Sequence, residues 1–204
     1  MAVHSGHLTS VAGTIFGPEV TANFEKLFLK TLEFGGLAEE DFDREPGASY
    51  NPRPARVALI LIKDLKIAAA DTIAAGILAA VSRSCTTESI ELMTAEITNG
   101  KQVAQLAQDA LLPLPQIEQL QEPLRTAAAA IAAAIFLDRM RHFHLTRTWR
   151  GASDRSGWLK QVEPYIRFSS QTAPLLTPFF QTWCDRFERA NFKIQPGKSI
   201  NQGG

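Results

Sequence analysis

The chain has 204 residues, enough for one substantial domain with its own core. Hydrophobic residues make up 45 % and charged residues 21 %, an ordinary globular balance that argues against disorder. Lys+Arg and Asp+Glu are both 21, so no global field draws in nucleic acid or an anionic membrane, and any polyanion site must be local.

Residues 1–18 mix Gly, Ser, Thr and His without a period and read as a loose N-terminal segment. They lack a basic start and a sustained apolar run, so no signal peptide is expected. After Pro18, the residues Phe24, Leu27, Phe28 and Leu32 fall on one helical face, and Gly35-Gly36 ends that helix. The acidic, turn-rich stretch LAEEDFDREPGASYNP reads as a long loop. Pro54 suits the first turn of a largely buried helix, ARVALILIKDL, and the link KIAAA leads to the small-residue helix DTIAAGILAAV. Ser84, Thr86 and Thr87 offer N-caps for ESIELMTAEI, which Asn99-Gly100 is expected to close.

KQVAQLAQDALL is a further amphipathic helix, stopped by PLP at 113–115. A long Ala-rich helix is predicted from about Pro123 to about Thr146. SDRSGWLKQVEPYIRF begins another, with Pro164 as a kink or break. In the last helix, Leu175, Leu176, Phe179, Phe180, Trp183, Cys184 and Phe187 form one wide apolar stripe. Core is its default role and a dimer seam the alternative. The expectation is an all-α fold: one irregular helical bundle over 19–192, followed by a flexible tail over 193–204. The greasiest stretches, Ala68–Val81 and Ala127–Leu137, fall short of the roughly 20 apolar residues that a membrane span needs. Two cysteines without a CxxC give neither a disulfide framework nor a zinc knuckle, so a soluble, cytoplasmic protein is expected.

No Walker loop, GxGxxG, GxSxG or HExxH is present. Two segments instead resemble a known family. RPARVALILIKDLKIAAADTIAAGILAAV is similar to the opening of the HD domain in alarmone (guanosine tetra/pentaphosphate) hydrolases and related nucleotide phosphohydrolases, whose pattern is approximately HPxxVAxIL, a spacer, then DTIAAxLLHD. IAAAIFLDRMRHFHLT resembles that family's KLADRLHNMR helix. The likeness spans roughly residues 22–150 and is strongest over 50–150.

The resemblance implies an HD-like bundle whose metal is held by a His, a His-Asp pair and a later Asp. The first His falls on Arg53, the pair on Ala79 and Ala80, and only the last ligand is kept, as Asp138. One carboxylate does not hold a catalytic cation, and an Arg brings a fixed positive charge to its place. The implied protein is therefore a pseudoenzyme, a pseudo-hydrolase with a binding or regulatory role and no catalytic or metal-binding residues. Its vestigial pocket would contain Arg53, Asp138, Arg139 and His142. An Arg53–Asp138 pair is expected to replace the metal as a cross-link.

The alternative reading is an active metal-dependent phosphohydrolase with a rebuilt site. It would need Mn or Mg, held by Asp138, His142 and His144 or by His4 and His7; no cofactor is expected otherwise. Against it, His142 and His144 lie two apart on a helix and point to different faces. Arg139, Arg141, Arg147, Arg150 and Arg155 surround Trp149, and of these Arg141, Arg147 and Arg150 are the candidates for gripping a phosphate. The bland reading is a solvated helix end. A third function, a nucleic-acid-associated helical protein using this segment, is weaker because the overall charge is neutral. The expected partners are a nucleotide or phosphate ligand and a protein partner or second copy, with no membrane. The acidic run Glu39, Glu40, Asp41, Asp43 and Glu45 lacks the offsets of a calcium loop. Cys85 beside Arg83 could have a lowered pKa, though a bystander thiol is the better reading. Ser82 and Ser84 have no assignable base.

Overall fold

The computed structural model describes residues 6–34, 52–82, 85–146 and 152–189. Among these the fold is all-α, with no strand, as the periodicity predicts. Ten α-helices follow in order: α1 Gly6–Gly13, α2 Pro18–Phe34, α3 Arg53–Leu59, α4 Ala70–Ser82, α5 Thr87–Thr94, α6 Gly100–Asp109, α7 Leu114–Ile117, α8 Leu124–Thr146, α9 Ala152–Thr172 and α10 Thr177–Arg189. None of the described helices is long and apolar enough to cross a membrane.

Helix α4 is the centre of the bundle. Every residue from Thr72 to Val81 is buried, and α2, α3, α6 and α8 all pack on it. Small side chains make this crowding feasible, because backbones approach closely only where little volume stands between them. Gly76 shows the limit: a Cβ there would lie 2.4 Å from Leu61 Cδ1. Helix α8 supplies the opposite wall with its own run of small residues, Ala128 to Ala134, all buried.

Helix α3 begins after Pro52 with Pro54 in its first turn, where a missing N–H costs little. It does not end as an α-helix. Residues Ile60–Asp64 widen into a π-helical turn, in which the Leu65 N–H reaches back to the Ile60 carbonyl at 3.0 Å. Lys66 then takes a left-handed conformation at φ 57° and turns the chain toward α4.

Several local expectations change. The N-terminal segment is not loose throughout: residues 6–13 form α1, and Leu8 and Ala12, four apart on one face, bury against the bundle. Phe16 then meets Phe24 edge-on, with ring centroids 5.4 Å apart. Asn99-Gly100 opens α6 and does not close α5. Thr86 caps α5 by accepting from the Ser89 N–H at 3.2 Å, and the helix stops at Thr94. Asn99, at φ 56°, then starts α6. Gly100 is needed because a Cβ would sit 2.1 Å from the Thr94 carbonyl oxygen. Pro164 does not break its helix: α9 runs from Ala152 to Thr172 with Pro164 inside on an exposed position.

The C-terminal stripe is split. Leu176, Phe180 and Phe187 are buried, and Trp183 and Cys184 are half-buried. Leu175 stays 56 % exposed and Phe179 38 %. Phe136 of α8 joins α9 and α10 to the bundle, stacking on Tyr165 at 3.4 Å between centroids and lying 6.2 Å from Phe180.

Candidate functional site

Helices α3, α4 and α8, which carry the matched sequence patterns, pack on one another. Their meeting place holds Asp138, whose residue is only 3 % exposed. A buried carboxylate is costly unless it is paired and hydrogen-bonded. Asp138 meets both conditions through one partner, Arg56. Arg56 donates from Nε to Oδ1 at 2.7 Å and from Nη2 to Oδ2 at 3.2 Å, the fork geometry that makes Arg–carboxylate pairs strong.

The cross-link is thus made by Arg56 and not by Arg53. The reason is helical geometry. The two arginines are three apart and share a face of α3, but three residues advance the helix axis by about 4.5 Å. Arg53 sits at the first position of α3, half-buried, about one turn before Arg56. Ala79 and Ala80 are buried at 2 % and 5 % exposure and carry no polar side-chain atom to place there.

A second ion pair crosses the same junction in the opposite sense. Arg141, three residues after Asp138 on α8, donates from Nη1 to Oδ2 of Asp64 at 3.1 Å. Asp64 is the last residue of the π-helical turn. Each segment therefore contributes one cation and one anion: Arg56 and Asp64 from α3 and its extension, Asp138 and Arg141 from α8. The two pairs differ in depth. The side chains of Arg56 and Asp138 are 13 % and 4 % exposed, whereas those of Arg141 and Asp64 are 41 % and 21 % exposed. The Arg141 guanidinium also lies over the Phe179 ring of α10, 5.3 Å from its centroid.

The remaining candidates separate. Arg139 is exposed on α8, pointing away from the buried side on which Asp138 lies. His142 and His144 lie on α8, but their side chains fall outside the described residues, as do those of His7 and Arg155. Arg147, Trp149, Arg150, His4, Arg83, Ser84 and the acidic run 39–45 lie outside them entirely. Among the described residues, no three His, Cys, Asp or Glu side chains are placed to hold a metal ion together.

Ser82 donates its hydroxyl to the Leu78 carbonyl at 2.8 Å, an ordinary back-bond to the preceding turn of its own helix. The Cys85 thiol is pushed up from its usual range by burial, not down, and its sulfur rests 3.3 Å from the Val81 carbonyl. Cys184 is pushed up to about 11, by burial first and then by Glu188 and Asp185. Among the described residues, neither thiol has the electropositive setting of a nucleophile.

Sequence reasoning missed Arg56 and Asp64. The available signal was charge: Arg56, Lys63 and Asp64 interrupt one largely apolar run, and Asp138, Arg139 and Arg141 interrupt the other. No family model matches the chain, and neither the curated proteins nor the solved structures provide a match.

Proposed function

We propose that the chain is an HD-like domain without catalysis, a pseudo-hydrolase with a binding or regulatory role. The observation that carries this reading is the state of Asp138, the one position where the resemblance retains a metal ligand. Both of its oxygens accept from Arg56. A divalent cation there would have to displace a guanidinium that stays charged at any ordinary pH, and among the described residues would find one carboxylate where several N/O ligands are required. Arg53, Ala79 and Ala80 add no anionic donor. Among the described residues, those around Asp138 do not fit a catalytic metal. The ligand classes in keeping with the reading are a nucleotide or other phosphate, or a protein partner.

Elemental analysis of the purified protein, with a thermal-shift titration of manganese, tests this. The expected result is substoichiometric metal and no stabilisation. Stoichiometric metal with a clear upward shift in Tm would overturn the reading in favour of a rebuilt phosphohydrolase site around Asp138, His142 and His144, in a working enzyme.

A further inference from the structure

We propose that Arg141 is a latch that couples the polar junction between α3 and α8 to the seating of the C-terminal helix α10. One guanidinium serves two elements at once. It donates to Asp64 at the end of the π-helical turn, at 3.1 Å, and it lies over Phe179 on α10, at 5.3 Å from the ring centroid. Asp64 fixes where the guanidinium can stand, and that position is the one that covers the ring. When Asp64 lets go, the guanidinium regains its rotamer freedom and the cover over Phe179 is lost. The coupling runs in both directions, since two contacts that stabilise one side-chain position must favour each other.

Three features suit this side chain to switching. Arg141 and Asp64 are both partly exposed, so the pair is accessible to competing ions and is individually weak. The neighbouring Arg56–Asp138 pair is buried and stays as the fixed reference. On the far side, α10 is only half committed to the core. Phe180 and Phe187 hold it, while Phe179 remains exposed and Trp183 stacks on Phe187 with centroids 4.7 Å apart along the same helix. An element held by few buried side chains opens locally at low cost, and its opening answers to small changes.

Cys184 reports on the latch. It lies on α10, five residues beyond Phe179, and is half-buried. Alkylation of the full chain, followed by peptide mapping, reads Cys184 and Cys85 separately, and Cys85 sits outside α10 as the internal reference. Asp64→Asn removes the anchoring charge with almost no change of shape, and Phe179→Leu removes the ring while keeping an apolar side chain. Each is expected to raise the Cys184 rate roughly three- to tenfold while leaving Cys85 unchanged. An unchanged Cys184 rate in both variants overturns the proposal. A parallel rise at Cys85 also overturns it, because the substitution would then loosen the whole bundle.

Discussion

The Arg56–Asp138 pair makes a prediction in which the sign depends on how it is removed. Asp138→Ala takes from the Arg56 guanidinium, at 13 % side-chain exposure, the carboxylate that both its Nε and Nη2 bind, and Arg56→Ala takes that guanidinium from a carboxylate at 4 %. Breaking a buried pair by removing one partner costs about 3–5 kcal/mol, a large share of the ~5–15 kcal/mol that holds a typical domain together. For a chain of this length that is a loss of roughly 6–20 °C in Tm, taking about 2–4 °C per kcal/mol. Replacing both partners by apolar residues of similar volume, as Arg56→Met with Asp138→Leu, removes both desolvation costs together. The double variant is expected within about 1 kcal/mol of the parent, or above it. Urea unfolding followed by far-UV circular dichroism measures the two alanine variants and the four corners of the cycle (parent, Arg56→Met, Asp138→Leu and the double variant), with unchanged m confirming comparable native states. The reasoning fails if Asp138→Ala costs less than about 1 kcal/mol, as an exposed pair would. It fails equally if the double variant shows the plain sum of the single losses, because the two charges would then not be compensating each other.

Three further outcomes follow from packing and titration. Gly100→Ala is expected to cost more than about 3 kcal/mol in urea unfolding, because its Cβ meets a backbone carbonyl at 2.1 Å. Gly76→Ala meets only the end of the Leu61 side chain and should cost about 1–3 kcal/mol; the reverse order would contradict the geometry at both sites. Phe180→Ala should lose about 3–5 kcal/mol while Phe179→Ala loses less than about 1, and equal losses would mean that the two faces of α10 are not distinguished as described. The Cys184 thiol, pushed up to about 11 by burial, binds its proton more tightly folded than unfolded. Stability should therefore fall as pH rises from about 9 to 11, and Cys184→Ser should flatten that part of the curve in a pH series of urea midpoints.

The helices were legible wherever apolar spacing carried them. Phe24, Leu27 and Phe28 define α2, and the unbroken run of small and apolar residues from Thr72 to Val81 announces a central helix buried on all sides. Features set by where backbones meet in space were not legible. Asn99-Gly100 is as good a stop as a start, and only the approach of the Thr94 carbonyl decides between them. The two apolar residues that bury α1, Leu8 and Ala12, are too few to form a pattern. The π-helical turn at Ile60–Asp64 has no sequence mark, yet it carries Asp64 to its partner. Of the candidate site, Asp138 as one half of an arginine cross-link is legible; its partner is not, since the sequence points to Arg53 and the structure pairs Asp138 with Arg56, one turn further along α3.

Depth explains why two similar ion pairs, three residues apart on α8, should have different consequences. In the outer pair, Arg141 keeps 41 % of its side chain in solvent, so water and salt already compete with Asp64 for it. Losing that contact strands no buried charge, and the local structure can change while the bundle stays folded. The inner pair has no such freedom, because releasing Arg56 from Asp138 leaves a charge in a place that water scarcely reaches. A cross-link at the inner position fixes the register of α8 against α3, and a contact at the outer position can open against that fixed register. Salt separates the two roles experimentally. Raising ionic strength should weaken the effect of Asp64→Asn on α10 and leave the effect of Asp138→Ala on global stability nearly intact, and equal screening of both would place the two pairs at the same depth.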